Sequence, residues 1–400
     1  MDLLLPSDAE KIIESHIVLL DSETVAFDQA YGRTLREPVL ADRDFPPYDR
    51  VMMDGIAMNM ASWKGEAMQS LGVQRAGVDA MDLREGAFCF EVMTGAVLPF
   101  GADTVVPIEQ VTESGGSFSL VESNSPTEGQ FVHRQGSDQK AGDLLLAEGT
   151  LLGGKEIAVL ATCGYAEVSV SQIPRIIILS TGDELVEVNE TPSPFQIRKS
   201  NVYALETACK NLGIPVSIRL DHLPDDQATI ACRLANVLNE SDLVLFSGGI
   251  SKGKYDFLQE LLVDAGATKH FQWVKQRPGK PLWFGTTKTG TVIFALPGNP
   301  NSTLTCFYRY VSDVTRTMAG LGKRIPESGQ LAESVKFNPP LSLFLPVRSR
   351  RSPEGSLHFD PVATQNSGDL AGLIASDGFI ELPAEQNEFS VGFSAPFYPW

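Results

Sequence analysis

The chain has 400 residues, 43% of them hydrophobic and 20% charged, which excludes a disordered protein. That length exceeds what one hydrophobic core usually spans, so two to four domains are expected. A formal net charge of −18 disfavours nucleic acid and anionic membrane as partners, so any anion site has to be built from a local basic patch.

Residues 7–20 are predicted to form an amphipathic helix, with Ser7 and Glu10 spaced as a capping box. From 44 to 143, short β-rich runs such as AFCFEVMTG alternate with Gly, Asp and Pro turns, which predicts a small β-rich domain. Residues 144–172 read as strand–helix–strand and are expected to join residues 1–43 in a discontinuous N-terminal domain. Between 173 and 322, apolar runs (RIIILS, DLVLF, TVIFAL) alternate with helical segments near 200–212, 225–239, 255–265 and 301–319. Strands alternating with helices predict a mostly parallel sheet covered on both faces. From 323 to 400, short strands separated by Pro, Gly and Ser predict a C-terminal β-domain.

The five cysteines are widely spaced and form no C-x-x-C pair, and the five histidines form no ligand-spaced cluster. That pattern argues against a disulfide framework or structural zinc and suits a cytoplasmic protein. No signal peptide is read at the start, and no run approaches the roughly 18 apolar residues of a membrane span.

Ligands in open parallel sheets bind beyond the carboxyl ends of the strands. Three strands here run into unusual loops: Ser180-Thr181-Gly182-Asp183-Glu184, then Ser247-Gly248-Gly249-Ile250-Ser251-Lys252-Gly253, then Pro297-Gly298-Asn299-Pro300. If the strands are parallel, the loops share one edge, offering exposed backbone N–H groups that suit phosphate. None is a Walker A loop or a G-x-G-x-x-G, so ordinary NTPase or dinucleotide chemistry is disfavoured. Between Ser251 and Gly285, six bases face three acids, and Pro278 and Pro281 stiffen the backbone that carries Arg277 and Lys280. The carboxylates Asp183, Glu184, Asp225 and Asp256 fall on the same edge, a pattern suited to Mg²⁺ bridging phosphate oxygens. For Asp225 simple N-capping is the competing reading. Asp54, in Met53-Asp54-Gly55, reads from spacing alone as a turn residue.

Taken in order, these motifs resemble the MoeA family of molybdopterin molybdenumtransferases, which includes the gephyrin E domain. The resemblance covers nearly the whole chain. It is carried by Pro46-Pro47-Tyr48-Asp49, Met53-Asp54-Gly55, Met93-Thr94-Gly95-Ala96, Ser180 to Leu185, Ser247 to Gly253 with Asp256, Pro278-Gly279-Lys280-Pro281, Leu296 to Pro300, and Ser367-Gly368-Asp369-Leu370. It implies an elongated four-domain subunit, with a molybdopterin-binding α/β domain between β-rich domains, and a homodimer whose active site lies between subunits. The implied reaction inserts molybdate into adenylylated molybdopterin, with Mg²⁺-dependent hydrolysis and AMP release. The adenylyltransferase of the preceding step and molybdoenzyme maturation factors are the implied protein partners.

By the same resemblance, Glu184, Asp225 and Asp256 correspond to metal and hydrolysis carboxylates. Ser247, Gly248, Gly249, Ser251, Pro297, Gly298, Asn299 and Ser302 correspond to the phosphate and pterin cradle. Arg277 and Lys280, with Arg348 and Ser367, correspond to a molybdate clamp, and Asp54 and Thr94 to the contribution of the β-rich domain. The chain departs from the family where Asp-Asn-Ser-Ala-Met-Asp-Gly is replaced by Asp49-Arg50-Val51-Met52-Met53-Asp54-Gly55, and where Asp-Ser-Asn becomes Lys199-Ser200-Asn201. Those departures keep open a non-catalytic, molybdopterin-binding scaffold, and the Ser-Gly-Gly loop also fits the adenylyltransferase step.

Overall fold

The run RIIILST forms the strand Arg175–Thr181, buried along almost its whole length. The computed structural model describes residues 3–121, 125–249 and 257–400. They divide into two units: Met1–Arg36 with Glu148–Gly154 and Glu167–Trp400, and Glu37–Ala147 with Lys155–Ala166.

In the larger unit, Arg175–Thr181 lies second in a six-stranded sheet. The order is Ser217–Leu223, Arg175–Thr181, Leu243–Ser247, Val292–Leu296, Pro281–Thr287, Ala267–Trp273. The first four strands are parallel, Pro281–Thr287 runs against them, and Ala267–Trp273 pairs antiparallel with it and so runs in their direction again. Side chains alternate across a strand, so Ile176 and Ile178 enter one core while Ile177 and Leu179 enter the other. With both faces covered, a continuous apolar run is what such a strand requires. The strand Pro281–Thr287 lies between the expected strands and was not predicted; it carries Pro281 and Gly285, residue types disfavoured inside strands.

The N-terminal helix spans Pro6–Glu14, shorter than expected, and Ser7 does not cap it. Proline at the first helical position sets the start instead. Glu10 is drawn off to ion pairs with Arg309, at 2.8 Å, and Lys323. The predicted helix over 301–319 is three consecutive segments, Pro300–Cys306, a π-helical turn Phe307–Val311, and Ser312–Met318.

The C-terminal strands close on themselves. Ser342–Arg351 pairs with Leu357–Pro361 and also with Gly378–Leu382, and the ring is completed through Glu327–Leu331 and Ser394–Pro399. The short strand Gln276–Arg277 adds to it in parallel, opposite Ser342–Leu343. The N-terminal segment Ser22–Ala26 pairs antiparallel with Glu167–Ser171.

In the smaller unit a six-stranded sheet runs in the order Thr104–Pro107, Gly55–Met58, Phe88–Val92, Met68–Gln74, Ser117–Leu120, Val111–Ser114. Among the described residues no helix is long and apolar enough to cross a membrane.

Candidate active site

Parallel register brings the ends of the four parallel strands level. Ser180 lies opposite Ser247, and Ser247 opposite Leu296. The loops that follow therefore share one rim, where they line a cavity of about 360 Å³. Its walls include Glu184, Asn201, Asp225, Gly248, Gly249 and Gly298. Gly248 has φ +99°, and a Cβ there would sit 2.9 Å from the Thr181 hydroxyl, so the loop requires glycine.

The two carboxylates at 225 and 226 have different tasks. Asp226 is the N-cap of helix Gln227–Glu240 and accepts from the Thr229 amide at 2.8 Å; the Thr229 side chain first, and this amide second, hold its carboxyl below the usual range. Asp225 is thereby free of the capping role and lines the cavity. Its own amide donates to Asp183 Oδ1 at 3.0 Å, so Asp183 serves as its support rather than as a cavity carboxylate. Glu184 shares the cavity with Asp225.

Asn201 was not singled out as a site residue, yet it ties the rim together. Its Nδ2 donates to Ser247 Oγ and to the Gly298 carbonyl, both at 2.8 Å, and reaches Thr303 Oγ1 at 3.3 Å. One amide thus fastens the ends of two strands and the helix after them. Asn201 opens helix Asn201–Lys210, whose N-cap Ser200 makes no side-chain cap hydrogen bond. Lys199 beside it is mostly buried and paired with Glu187 at 2.5 Å, which lowers the Glu187 carboxyl. Beneath the rim, Ser180 Oγ meets His222 Nδ1 at 2.9 Å. Burial first, and then the Lys199 charge, push the His222 imidazole below its ordinary value.

On the other side of the loop 297–302 lies a second cavity of about 610 Å³. Arg277, Lys280, Pro297, Asn299, Ser302 and Ser367 line it. Arg277 and Lys280 are exposed. Asn299, which lines both cavities, donates from Nδ2 to Ser367 Oγ at 2.7 Å.

Arg348 does not join this cavity. The strand Ser342–Arg351 lines it through Leu343, Phe344, Leu345 and Pro346 only, an apolar wall. At about 3.3 Å per residue, Arg348 lies roughly 7 Å further along, in register with Asp360. Ser251 and Asp256 lie outside the described residues, as do Lys252 and Lys254. Among the described residues no cluster of three or more His, Cys, Asp or Glu makes a ready metal site. Glu184 and Asp225 bring two carboxylates to the rim cavity, oxygen donors of the hard kind that Mg²⁺ takes from protein.

In the smaller unit, Asp54 accepts from the Thr94 amide at 2.7 Å and from its hydroxyl at 3.0 Å. These bonds hold the Asp54 carboxyl below its usual range, the amide bond contributing most. Arg50, the replacement in the altered loop, contacts His133 Nδ1 at 3.1 Å, while His133 Nε2 meets Asp138 at 2.7 Å. Guanidinium cannot accept, so Nδ1 is the acceptor and Nε2–H donates to Asp138.

The fold and its rim define an α/β class of protein that binds ligand beyond its strand ends, with β-rich parts elsewhere in the chain. Residues 5–164 match the MoeA N-terminal region (domain I and II), residues 177–317 a molybdopterin-binding domain described as probable, and residues 328–400 the MoeA C-terminal region (domain IV). A protein of Synechocystis sp. named molybdopterin molybdenumtransferase is 38% identical over 98% of both chains. One of the same name from Staphylococcus epidermidis is 28% identical over 96% of this chain and 92% of that one. The crystal structure of a molybdopterin biosynthesis MoeA protein from Pyrococcus horikoshii, 27% identical, covers 100% of this chain and 99% of that one with a TM-score of 0.82. The chain belongs to the MoeA family.

Proposed function

We propose that this protein is a molybdopterin molybdenumtransferase, which inserts molybdate into adenylylated molybdopterin and releases AMP. The observation that carries this reading is the loop 297–302, which contributes to two cavities suited to different anions. The glycine rim takes the phosphate and pterin portion, and the Arg277–Lys280 turn takes molybdate. Two oxyanions repel, so placing them side by side needs fixed positive groups that cost no reorganisation at the moment of reaction.

In this mechanism the rim amides hold phosphate oxygens, with Asn201 keeping the Ser247 and Gly298 loops in place. Asp225, whose amide is held by Asp183, and Glu184 would hold Mg²⁺. When bound, Mg²⁺ neutralises phosphate charge and makes AMP a better leaving group. Arg277 and Lys280 orient molybdate by charge-assisted hydrogen bonds, and Ser367 is fixed beside them by Asn299. By the family resemblance Asp256 and Ser251 join this site, and Asp54 and Thr94 are the contribution of the other subunit's β-rich part. We propose a homodimer in which the β-rich part of one subunit serves the α/β part of the other.

The test is AMP release by the purified protein supplied with adenylylated molybdopterin, molybdate and Mg²⁺. Molybdate-dependent release is expected. Tight binding of the adenylylated pterin with no release would favour the scaffold reading instead.

A further inference from the structure

Behind the Arg277–Lys280 turn lies a buried polar network that no motif announces. Gln276 is fully buried. Its Nε2 donates to the Gly279 carbonyl at 2.9 Å and contacts Cys306 Sγ at 3.5 Å. Its Oε1 accepts from the Tyr310 hydroxyl. Tyr310 is itself 3% exposed and sits in the π-helical turn Phe307–Val311. Burial raises its phenol well above the ordinary value, so it stays a donor.

This arrangement allows only one amide orientation. The Gly279 carbonyl can only accept, so it has to face Nε2, and the Tyr310 hydroxyl then donates to Oε1. Gly279 has φ +82°, and a Cβ there would lie 2.5 Å from Cys306 Sγ and 2.9 Å from Gln276 Nε2. The turn is therefore packed directly on the amide. The backbone adds two bonds, Val274 N–H to the Lys280 carbonyl at 3.0 Å and Gln276 N–H to the Val274 carbonyl at 2.9 Å. Arg277 and Lys280 leave this closed turn on either side of the Pro278-Gly279 pair, both toward the 610 Å³ cavity. An amide deprived of a partner at this depth costs more than a surface hydrogen bond, so the network holds one geometry.

We propose that Gln276, oriented by Tyr310, is a positioning residue that sets Arg277 and Lys280 at the spacing a compact tetrahedral oxyanion requires. It touches neither substrate and acts through the turn. This inference rests on the assignment of molybdate to that cavity.

Steady-state kinetics of Gln276→Leu and Tyr310→Phe test it. In Gln276→Leu the KM for molybdate should rise roughly tenfold, and in Tyr310→Phe roughly threefold, while kcat at saturating molybdate and the KM for adenylylated molybdopterin stay within about twofold. A merely structural role would lower kcat for the reaction as a whole without singling out molybdate. Tyr310→Phe decides the matter if Gln276→Leu fails to fold. A folded Tyr310→Phe protein with wild-type molybdate KM overturns the proposal. If the wild-type protein releases no AMP, the transferase reading fails, and equilibrium dialysis with molybdate alone becomes the arbiter. There, weaker binding by Tyr310→Phe than by wild type supports the positioning role. Equal binding, or none by the wild type, sinks it.

Discussion

On the proposed assignment, the two cavities beside the loop 297–302 solve one problem, holding an anion in a strongly acidic protein, by different physical means. The rim cavity uses backbone amides, which only glycine at positions such as 248 leaves uncovered, together with carboxylates suited to a cation. The second cavity uses two exposed side-chain cations against an apolar wall. Neutral amide bonds contribute about 0.5–1.5 kcal/mol each, and bonds to charged groups about 1.5–3 kcal/mol. A large ligand with many oxygens can therefore be held by numerous weak donors, whereas a small tetrahedral one needs a few strong ones. Asn299, which lines both, makes their separation a matter of one side chain.

This contrast breaks down if damage to one cavity spreads to the other. The largest effect is expected for Asp225→Asn. AMP release should fall on the order of 100-fold, because a carboxylate that would hold Mg²⁺ is lost, while molybdate binding by equilibrium dialysis stays unchanged. Lys280→Ala should act in the opposite sense. Its molybdate KM should rise about tenfold, with AMP release at saturating molybdate reduced no more than about threefold. Matching kinetic phenotypes in the two variants would mean that the cavities are not distinct.

The smallest effect concerns acid, and it sharpens the contrast because His222 lies beneath the glycine rim alone. Its folded-state pKa is lowered from 6.5 by burial and by Lys199. The native protein thus favours neutral imidazole, and the unfolded chain binds the extra proton. The contribution to stability is present above pH 6.5 and is lost as pH falls through that value toward the folded pKa. Thermal midpoints from pH 7.5 to 5.5 should decline more in wild type than in His222→Gln. Parallel declines would remove His222 from the account.

Much of this was legible in the chain, for a physical reason. Apolar runs ending in Gly-rich loops encode both the strand and the place where it stops, so the shared rim followed once the strands were parallel. The division of labour between Asp225 and Asp226 was not legible, because either carboxylate can cap a helix, and only the loop path set by Asp183 separates them. Arg348 was assigned by the family resemblance, which cannot say how far along a strand a cavity extends. Gln276 and Tyr310 lay hidden because a lone polar residue between cations looks like surface, and its partner sits in a π-helical turn, 34 residues later. Asn201 was quoted only as part of a departing motif, and its role needed three loops to be seen at once.

The strand Gln276–Arg277 belongs to two structures at once, since it continues the α/β chain while its ladder partner is Ser342–Leu343 of the closed C-terminal ring. For anyone transplanting that ring between relatives, the decisive constraint is phase rather than similarity. Deleting a single residue just before Ser342 would slide the ladder by one and turn alternate side chains to the wrong face, so a chimera should preserve the pairing of Gln276 with Ser342 even where every other residue of the ring is exchanged.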